Sequence, residues 1–393
     1  MFERPCARVR VSPRVVLPRL AVLFSVLTFA AGIAQAETPA AQPPPATDTS
    51  TAARTGAEAG RALYARYCQL CHAKNGTGYA ADHAPSLVSP TFLASADDAF
   101  IARGIRLGRP NTAMAAYGKS RGGPLDDAQI SAIVSFLRAQ GPAAVALPKV
   151  VRSGSAARGA ALYRRECESC HGTAKQPGEA PQLHNAEFLA AASPAFVRHA
   201  IVHGRPPTRM PAFERRLDGG QIDDLVAWIS SLRAAMPPDP GKKPAPVVPD
   251  ALPLVLNPGG KAPEFRMRED RFVSAEQLEL ALREGRRMII IDARSPSDWI
   301  QFHIPGAVPI PYYDTAKLDR VPNDGTWVIA YCACPHHASG EVVDALRRRG
   351  YPHTAVLDEG ILYWRRTGYP LAGEAAAPPP NVTPAAKPPA PSR

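Results

Sequence analysis

Two Cys-x-x-Cys-His pentads constrain this chain more than any other feature: Cys68-Gln69-Leu70-Cys71-His72 and Cys167-Glu168-Ser169-Cys170-His171, 99 residues apart. Each sets two thiols one helical turn apart, with an imidazole directly after the second. The likeness extends in both directions. Gly60-Arg61-Ala62-Leu63-Tyr64 leads into the first pentad and Gly159-Ala160-Ala161-Leu162-Tyr163 into the second. Further on, Gly108-Arg109-Pro110-Asn111-Thr112-Ala113-Met114 matches Gly204-Arg205-Pro206-Pro207-Thr208-Arg209-Met210. Each copy then closes on an amphipathic pattern with one apolar face, Ile130, Ile133, Val134 and Leu137 in the first, Ile222, Leu225, Val226 and Ile229 in the second. Aspartates near each start suit the positive end of a helix, and Gly141 and Pro237 mark the stops. The repeat predicts two small helical domains.

Four of the chain's seven cysteines sit in these pentads. The pattern reads as covalent c-type haem attachment, the thiols reaching both vinyl groups while the histidine binds iron. A structural zinc would need four ligands in each copy, and a redox pair needs no histidine, so both alternatives fit less well. An electron-transfer iron takes a sixth ligand, and the repeated Met114 and Met210 are the candidates, 42 and 39 residues after His72 and His171. Their competitors are His83 in the first copy and His184, His199 or His203 in the second. The expectation is two covalently attached c-type haems, one held by Cys68, Cys71, His72 and Met114, the other by Cys167, Cys170, His171 and Met210.

In motif order, residues 56–235 resemble a tandem of two class I cytochrome c domains, spanning 56–143 and 154–235. Met210-Pro211-Ala212-Phe213 has the usual form of that family's methionine loop, while Met114-Ala115-Ala116-Tyr117 lacks the proline. The resemblance implies histidine/methionine ligation, a raised reduction potential, and electrons taken from one redox protein and passed to another.

The remainder changes character. Met288-Ile289-Ile290-Ile291 and Trp327-Val328-Ile329-Ala330-Tyr331 read as buried strands, and 274–285 and 340–349 have helical spacing, an alternation that argues α/β with a parallel sheet. Ile291-Asp292-Ala293-Arg294, His303-Ile304-Pro305-Gly306-Ala307-Val308-Pro309-Ile310-Pro311, Tyr331-Cys332 and Leu357-Asp358-Glu359-Gly360 through Gly368-Tyr369-Pro370 together resemble a rhodanese-like domain over 264–373. That family carries its nucleophile at Cys332. A cysteine between a strand end and a helix start sits near backbone N–H groups, which favours thiolate or persulfide. The loop Cys332-Ala333-Cys334-Pro335-His336-His337-Ala338-Ser339 departs from the family: it lacks an arginine, Pro335 removes an N–H, and a second cysteine is present. Three readings stay open. Cys332 carries a persulfide, with Cys334 resolving it and His336 or His337 supplying charge; the fold only docks; or two thiolates and two histidines hold a metal. Asp292 and Arg294 are expected to pair structurally.

Forty-three prolines, about twice average usage, mark segments 37–55 and 236–263 as linkers and 374–393 as a tail. With 45% apolar and 21% charged residues, wholesale disorder and a polytopic membrane protein are excluded. Residues 1–36 read as a secretory signal peptide: an arginine-rich start, an apolar run from Leu20 to Ala34, and Ala34-Gln35-Ala36 for cleavage. That apolar run is shorter than a bilayer span, so the mature chain is expected in the periplasm without a membrane span, and anchored only if the signal stays uncleaved. Its loss lowers the formal charge from +11 to +7 and leaves no dense basic tract, so nucleic acid is not an expected partner. The whole reads as an exported dihaem electron carrier coupled to sulfur at Cys332, or as a pure carrier with an inactive docking module. Expected partners are periplasmic redox proteins and, in the first reading, small sulfur anions.

Overall fold

The computed structural model describes residues 49–79, 81, 83–149, 152–234, 248–249, 252–333 and 336–375. The signal-peptide reading of 1–36, most of the linker and tail stretches, and Cys334 and Pro335 lie outside the described residues. Among the described residues no helix is long and apolar enough to cross a membrane.

The first copy comprises α1 (Thr49–Tyr67), α2 (Gln69–His72), α3 (Pro90–Ser95), α4 (Asp98–Leu107) and α5 (Asp127–Arg138). The second repeats this order with α6 (Ala156–Glu166), α7 (Glu168–His171), α8 (Ala186–Ala191), α9 (Pro194–His203) and α10 (Gly219–Ala234). Helix α1 starts inside the stretch 37–55 read as linker. Side-chain caps set the starts. The Asp97 carboxylate accepts from Phe100 N, Asp126 and Gln129 form a reciprocal capping box, and Asp218 and Gln221 repeat it before α10. The predicted apolar faces of α5 and α10 are buried throughout.

The repeated glycine has a steric reason. A Cβ on Gly60 would lie 1.9 Å from Ala132 O, and one on Gly159 would lie 2.0 Å from Asp224 O. Only glycine lets the first helix of each copy cross its last helix at this backbone separation.

The copies share a core. Phe100 stacks on Phe196 with centroids 4.6 Å apart, and Phe92 and Phe188 each meet the Phe196 ring edge-on at 6.4 Å. Thr91 Oγ1 donates to Gly204 O at 2.7 Å, Asn185 Nδ2 donates to Pro110 O at 2.9 Å, and Arg103 pairs with Glu187 at 2.7 Å.

The third body is a five-stranded parallel sheet in the order β1-β5-β4-β2-β3. Its strands are β1 (Phe272–Val273), β2 (Met288–Asp292), β3 (Val308–Pro309), β4 (Trp327–Tyr331) and β5 (Thr354–Leu357). Helices α11 (Ala275–Arg283), α12 (Pro296–Gln301), α13 (His337–Arg348) and α14 (Gly360–Arg366) complete it. Ile289, Ile291, Val328 and Ala330 pack on one face with Val342, Val343 and Leu346 of α13. Met288, Ile290, Ile329 and Tyr331 pack on the other with Leu278 of α11 and Trp364 of α14. Burial on both faces explains why β2 and β4 read as unbroken apolar runs.

This body begins earlier than residue 264. Leu252, Leu254 and Val255 pack against the sheet, and Leu256 exchanges backbone hydrogen bonds with Met288 at 2.8 and 3.3 Å. Residues 252–263, read as linker from their prolines, therefore run along the domain.

Candidate functional site

Both pentads fold alike. Cys68 (φ −121°, ψ −34°) and Cys167 (φ −124°, ψ −34°) each break from the preceding helix, and the next four residues make a single turn. His72 N donates to Cys68 O and His171 N to Cys167 O, both at 2.9 Å, which closes each turn. Burial pushes the Cys68 and Cys167 thiols up to about 12. Among the described residues, no three His, Cys, Asp or Glu side chains gather into a metal site. The repeated tyrosines brace the turns: Tyr64 OH donates to Ala73 O at 2.8 Å and Tyr163 OH to Gly172 O at 2.6 Å.

The histidines are aimed by groups that no motif announces. His72 Nδ1 lies 2.9 Å from Pro85 O, and His171 Nδ1 lies 2.8 Å from Pro181 O. A carbonyl only accepts, so Nδ1 carries the proton in both rings and the lone pair is at Nε2. Burial also lowers both pKa values, which keeps the rings neutral. A neutral, oriented imidazole next to two cysteine thiols is the donor set that covalent haem attachment requires, and the residues present fit that group.

The methionine loops share their closing hydrogen bonds, though Pro206-Pro207 is cis in the second and Asn111 takes φ +65° in the first. Arg109 N donates to Met114 O (2.8 Å) and Arg205 N to Met210 O (3.0 Å), while Thr112 Oγ1 and Thr208 Oγ1 accept from Met114 N (3.1 Å) and Met210 N (3.2 Å). Gly108 and Gly204, both at φ +63°, open the loops against the backbone of Ala115 and of Met210 and Pro211. The competing histidines have other surroundings. His83 is exposed, His184 meets Tyr163 and Trp228 edge-on, and His199 and His203 pack on each other along α9.

In the third body, Cys332 directly follows β4 and is buried, its Sγ 3.2 Å from the hydroxyl of Ser339 in the first turn of α13. His336 turns away to Asp358, with Nε2 2.7 Å from Oδ1, and packs on Phe272. Asp292 and Arg294 pair as expected: Arg294 Nη2 donates to Asp292 Oδ2 at 2.7 Å and to Phe302 O at 2.6 Å, and Tyr331 OH donates to Asp292 Oδ2 at 2.9 Å. Both members are buried, and they hold β2 to the following loop.

Because the sheet is parallel, the loops after β2, β3, β4 and β5 share its C-terminal edge. That edge packs on the first copy. Ser297 Oγ donates to Ala116 O at 2.6 Å, Tyr312 OH donates to Tyr67 O at 2.7 Å, and Tyr313 meets the Tyr67 ring edge-on at 4.8 Å. Tyr67 precedes Cys68 and Ala116 follows Met114, so the docked edge touches both chain segments of the first candidate haem site. Sequence patterns gave no sign of Pro85, Pro181, Ser297 or Tyr312, whose roles arise only from contacts across the fold.

A family model described as "Cytochrome C oxidase, cbb3-type, subunit III" matches residues 55–137 and 154–229, and a "Rhodanese-like domain" model matches 274–367. A "Cytochrome bc1 complex cytochrome c subunit" of Mycobacterium bovis is 30% identical over 228 residues, covering 55% of this chain and 77% of that protein. A "Cbb3-type cytochrome c oxidase subunit CcoP" of Azospirillum sp. is 30% identical over 192 residues, 44% of this chain and 61% of that protein. A "Dihydro-heme d1 dehydrogenase" of Pseudomonas aeruginosa is 44% identical over 73 residues, 19% of this chain and 15% of that protein. The chain thus spans about three fifths of the oxidase subunit and a small part of the dehydrogenase.

Proposed function

Since this chain belongs to the cytochrome c family and carries a rhodanese-like domain behind its tandem, we propose that it is an exported dihaem electron carrier that oxidises sulfur bound at Cys332. Cys68, Cys71, His72 and Met114 would hold one haem, and Cys167, Cys170, His171 and Met210 the other. The observation that carries the coupling is the shared sheet edge. Cys332 leaves β4 on the edge that docks beside Cys68 and the Met114 loop, and β4 lies two strands from β3, about 10 Å across the sheet.

The chemistry balances. Joining a hydrosulfide to the Cys332 thiolate as a persulfide forms one S–S bond and releases one proton and two electrons. The c-type haems that the two pentads would hold would supply two one-electron acceptors, at a potential raised by histidine/methionine ligation. The chain's own residues divide the remaining tasks. The carbonyls of Pro85 and Pro181 keep the proton on Nδ1 of each histidine, and Ser339 contacts the Cys332 sulfur. Periplasmic redox proteins would take the electrons onward.

The burial of Cys332, 3% exposed, favours a second reading in which the third body only docks. An anaerobic visible spectrum of the oxidised holoprotein, before and after sulfide, separates the two. The proposal expects reduced c-type bands in the parent chain and none with Cys332→Ser. Equal reduction in both chains, or none in either, leaves a pure electron carrier with a docking module.

A further inference from the structure

We propose that the rhodanese-like domain clamps the first methionine loop, with Ser297 and Tyr312 as positioning residues for Met114. The inference rests on reading Met114 as an iron ligand and draws nothing from the chemistry of Cys332.

The contacts converge on one loop. Ser297 Oγ reaches Ala116 O, two residues after Met114, at 2.6 Å, and Ser295 Oγ lies 3.5 Å from the same carbonyl. Ser295 and Ser297 are 2% and 1% exposed, so the Ala116 carbonyl would be left unpaired in a dry contact without them. Tyr312 joins the two sides of the site, donating to Tyr67 O at 2.7 Å while its hydroxyl lies 3.5 Å from that of Tyr117. Arg365 closes the far end of the loop on the Asn111 side chain.

The second copy is the internal reference. Its loop has the same local hydrogen bonds through Thr208, and Ala212 occupies the place of Ala116. Among the described residues, no side-chain hydroxyl reaches Ala212 O. The two loops share these bonds at their methionines but differ in the bend before them, where Pro206-Pro207 is cis and Asn111 sits at φ +65°, and in the hydroxyls that reach Ala116 O alone. The first loop also lacks the proline that stiffens the second at Pro211, so the third body supplies from outside a restraint that the second loop has in its own chain.

A methionine bound to ferric iron gives way to added imidazole only when its loop swings aside, so the apparent imidazole affinity is scaled by the open fraction. One net hydrogen bond shifts such an equilibrium about fivefold. The experiment titrates imidazole into the ferric, full-length holoprotein and into Ser297→Ala, Tyr312→Phe and Ser297→Thr. Proton NMR signals of the axial methionine methyls tell the two centres apart. The clamp predicts about fivefold tighter imidazole binding at the first centre for each deletion, no change at the second, and parental affinity for Ser297→Thr. Amide exchange at Tyr117 and Gly118 should quicken by the same factor, a readout that needs no bound imidazole. Two methionine-ligated centres with unchanged affinity, or an equal shift at both, would overturn the clamp alone. A parent chain without a methionine signal at the first centre would overturn the ligand reading and the clamp with it.

Discussion

Helix α1 contains two glycines whose replacement by alanine should change stability in opposite directions. At Gly56 an added Cβ meets nothing within 4 Å, so Gly56→Ala gains helix propensity alone, up to about 1 kcal/mol. At Gly60 the same methyl group would stand 1.9 Å from Ala132 O, 2.5 Å from Ala132 C and 3.0 Å from the Phe136 Cβ. An ordinary contact begins near 3.4 Å, and a helix carbonyl cannot rotate out of the way, so α1 and α5 must part by more than 1 Å. The parting loosens Tyr64, Ile133 and Leu137, each at most 1% exposed. Overpacking of this kind costs about 3 kcal/mol at the upper end of its usual range, and the propensity gain offsets about 1, leaving a net loss of roughly 2 kcal/mol. With three bodies in the chain a global melt would blur the effect, so the assay is native-state amide exchange of α5 in the holoprotein. Gly60→Ala should speed exchange about 30-fold and Gly56→Ala slow it up to about fivefold. If both substitutions slowed exchange, the close helix crossing would be refuted.

Further tests fall on the third body. Arg294→Met strands the buried Asp292 carboxylate, and loss of one partner of a buried pair costs roughly 3–5 kcal/mol, read as a lower transition temperature for this body by calorimetry; a loss under about 1 kcal/mol would contradict the pairing. Burial pushes the Asp298 carboxyl up to about 6 against the opposing pull of Arg294. The folded chain then holds this proton more tightly than the unfolded one, so stability falls as pH rises from about 4 through 6. Asp298→Asn should flatten that fall and stabilise the chain above pH 6 by on the order of 2 kcal/mol, measured by urea unfolding across the pH range.

The sequence made the duplicated elements readable because their constraints are local. A Cys-x-x-Cys-His turn and a capping aspartate each act within a few residues of their position, whereas the glycine, which meets Ala132 or Asp224 across the fold, is marked only by its recurrence in both copies. The carbonyls of Pro85 and Pro181 escaped notice because they act through space on a ring 13 and 10 residues earlier, and any residue type supplies a carbonyl. Residues 252–263 were misread because proline suggested an extended linker. The signal against that reading was the apolar set Leu252, Leu254, Val255 and Leu256, which pairs with and covers the sheet. The docking of Ser297 and Tyr312 left no pattern at all, since each needs only a single partner in another domain.

The aromatic seam between the two copies has a consequence for how the duplication persists. Phe92, Phe100 and Phe196 sit beneath the guanidiniums of Arg109 and Arg205, both pushed down to about 10 by burial. Separating the halves would wet three phenyl rings and strip Arg205 of its acceptors on Thr91 and Ser95. The seam holds the halves independently of the chain between them, so cutting the connector at 144–153 would leave them together.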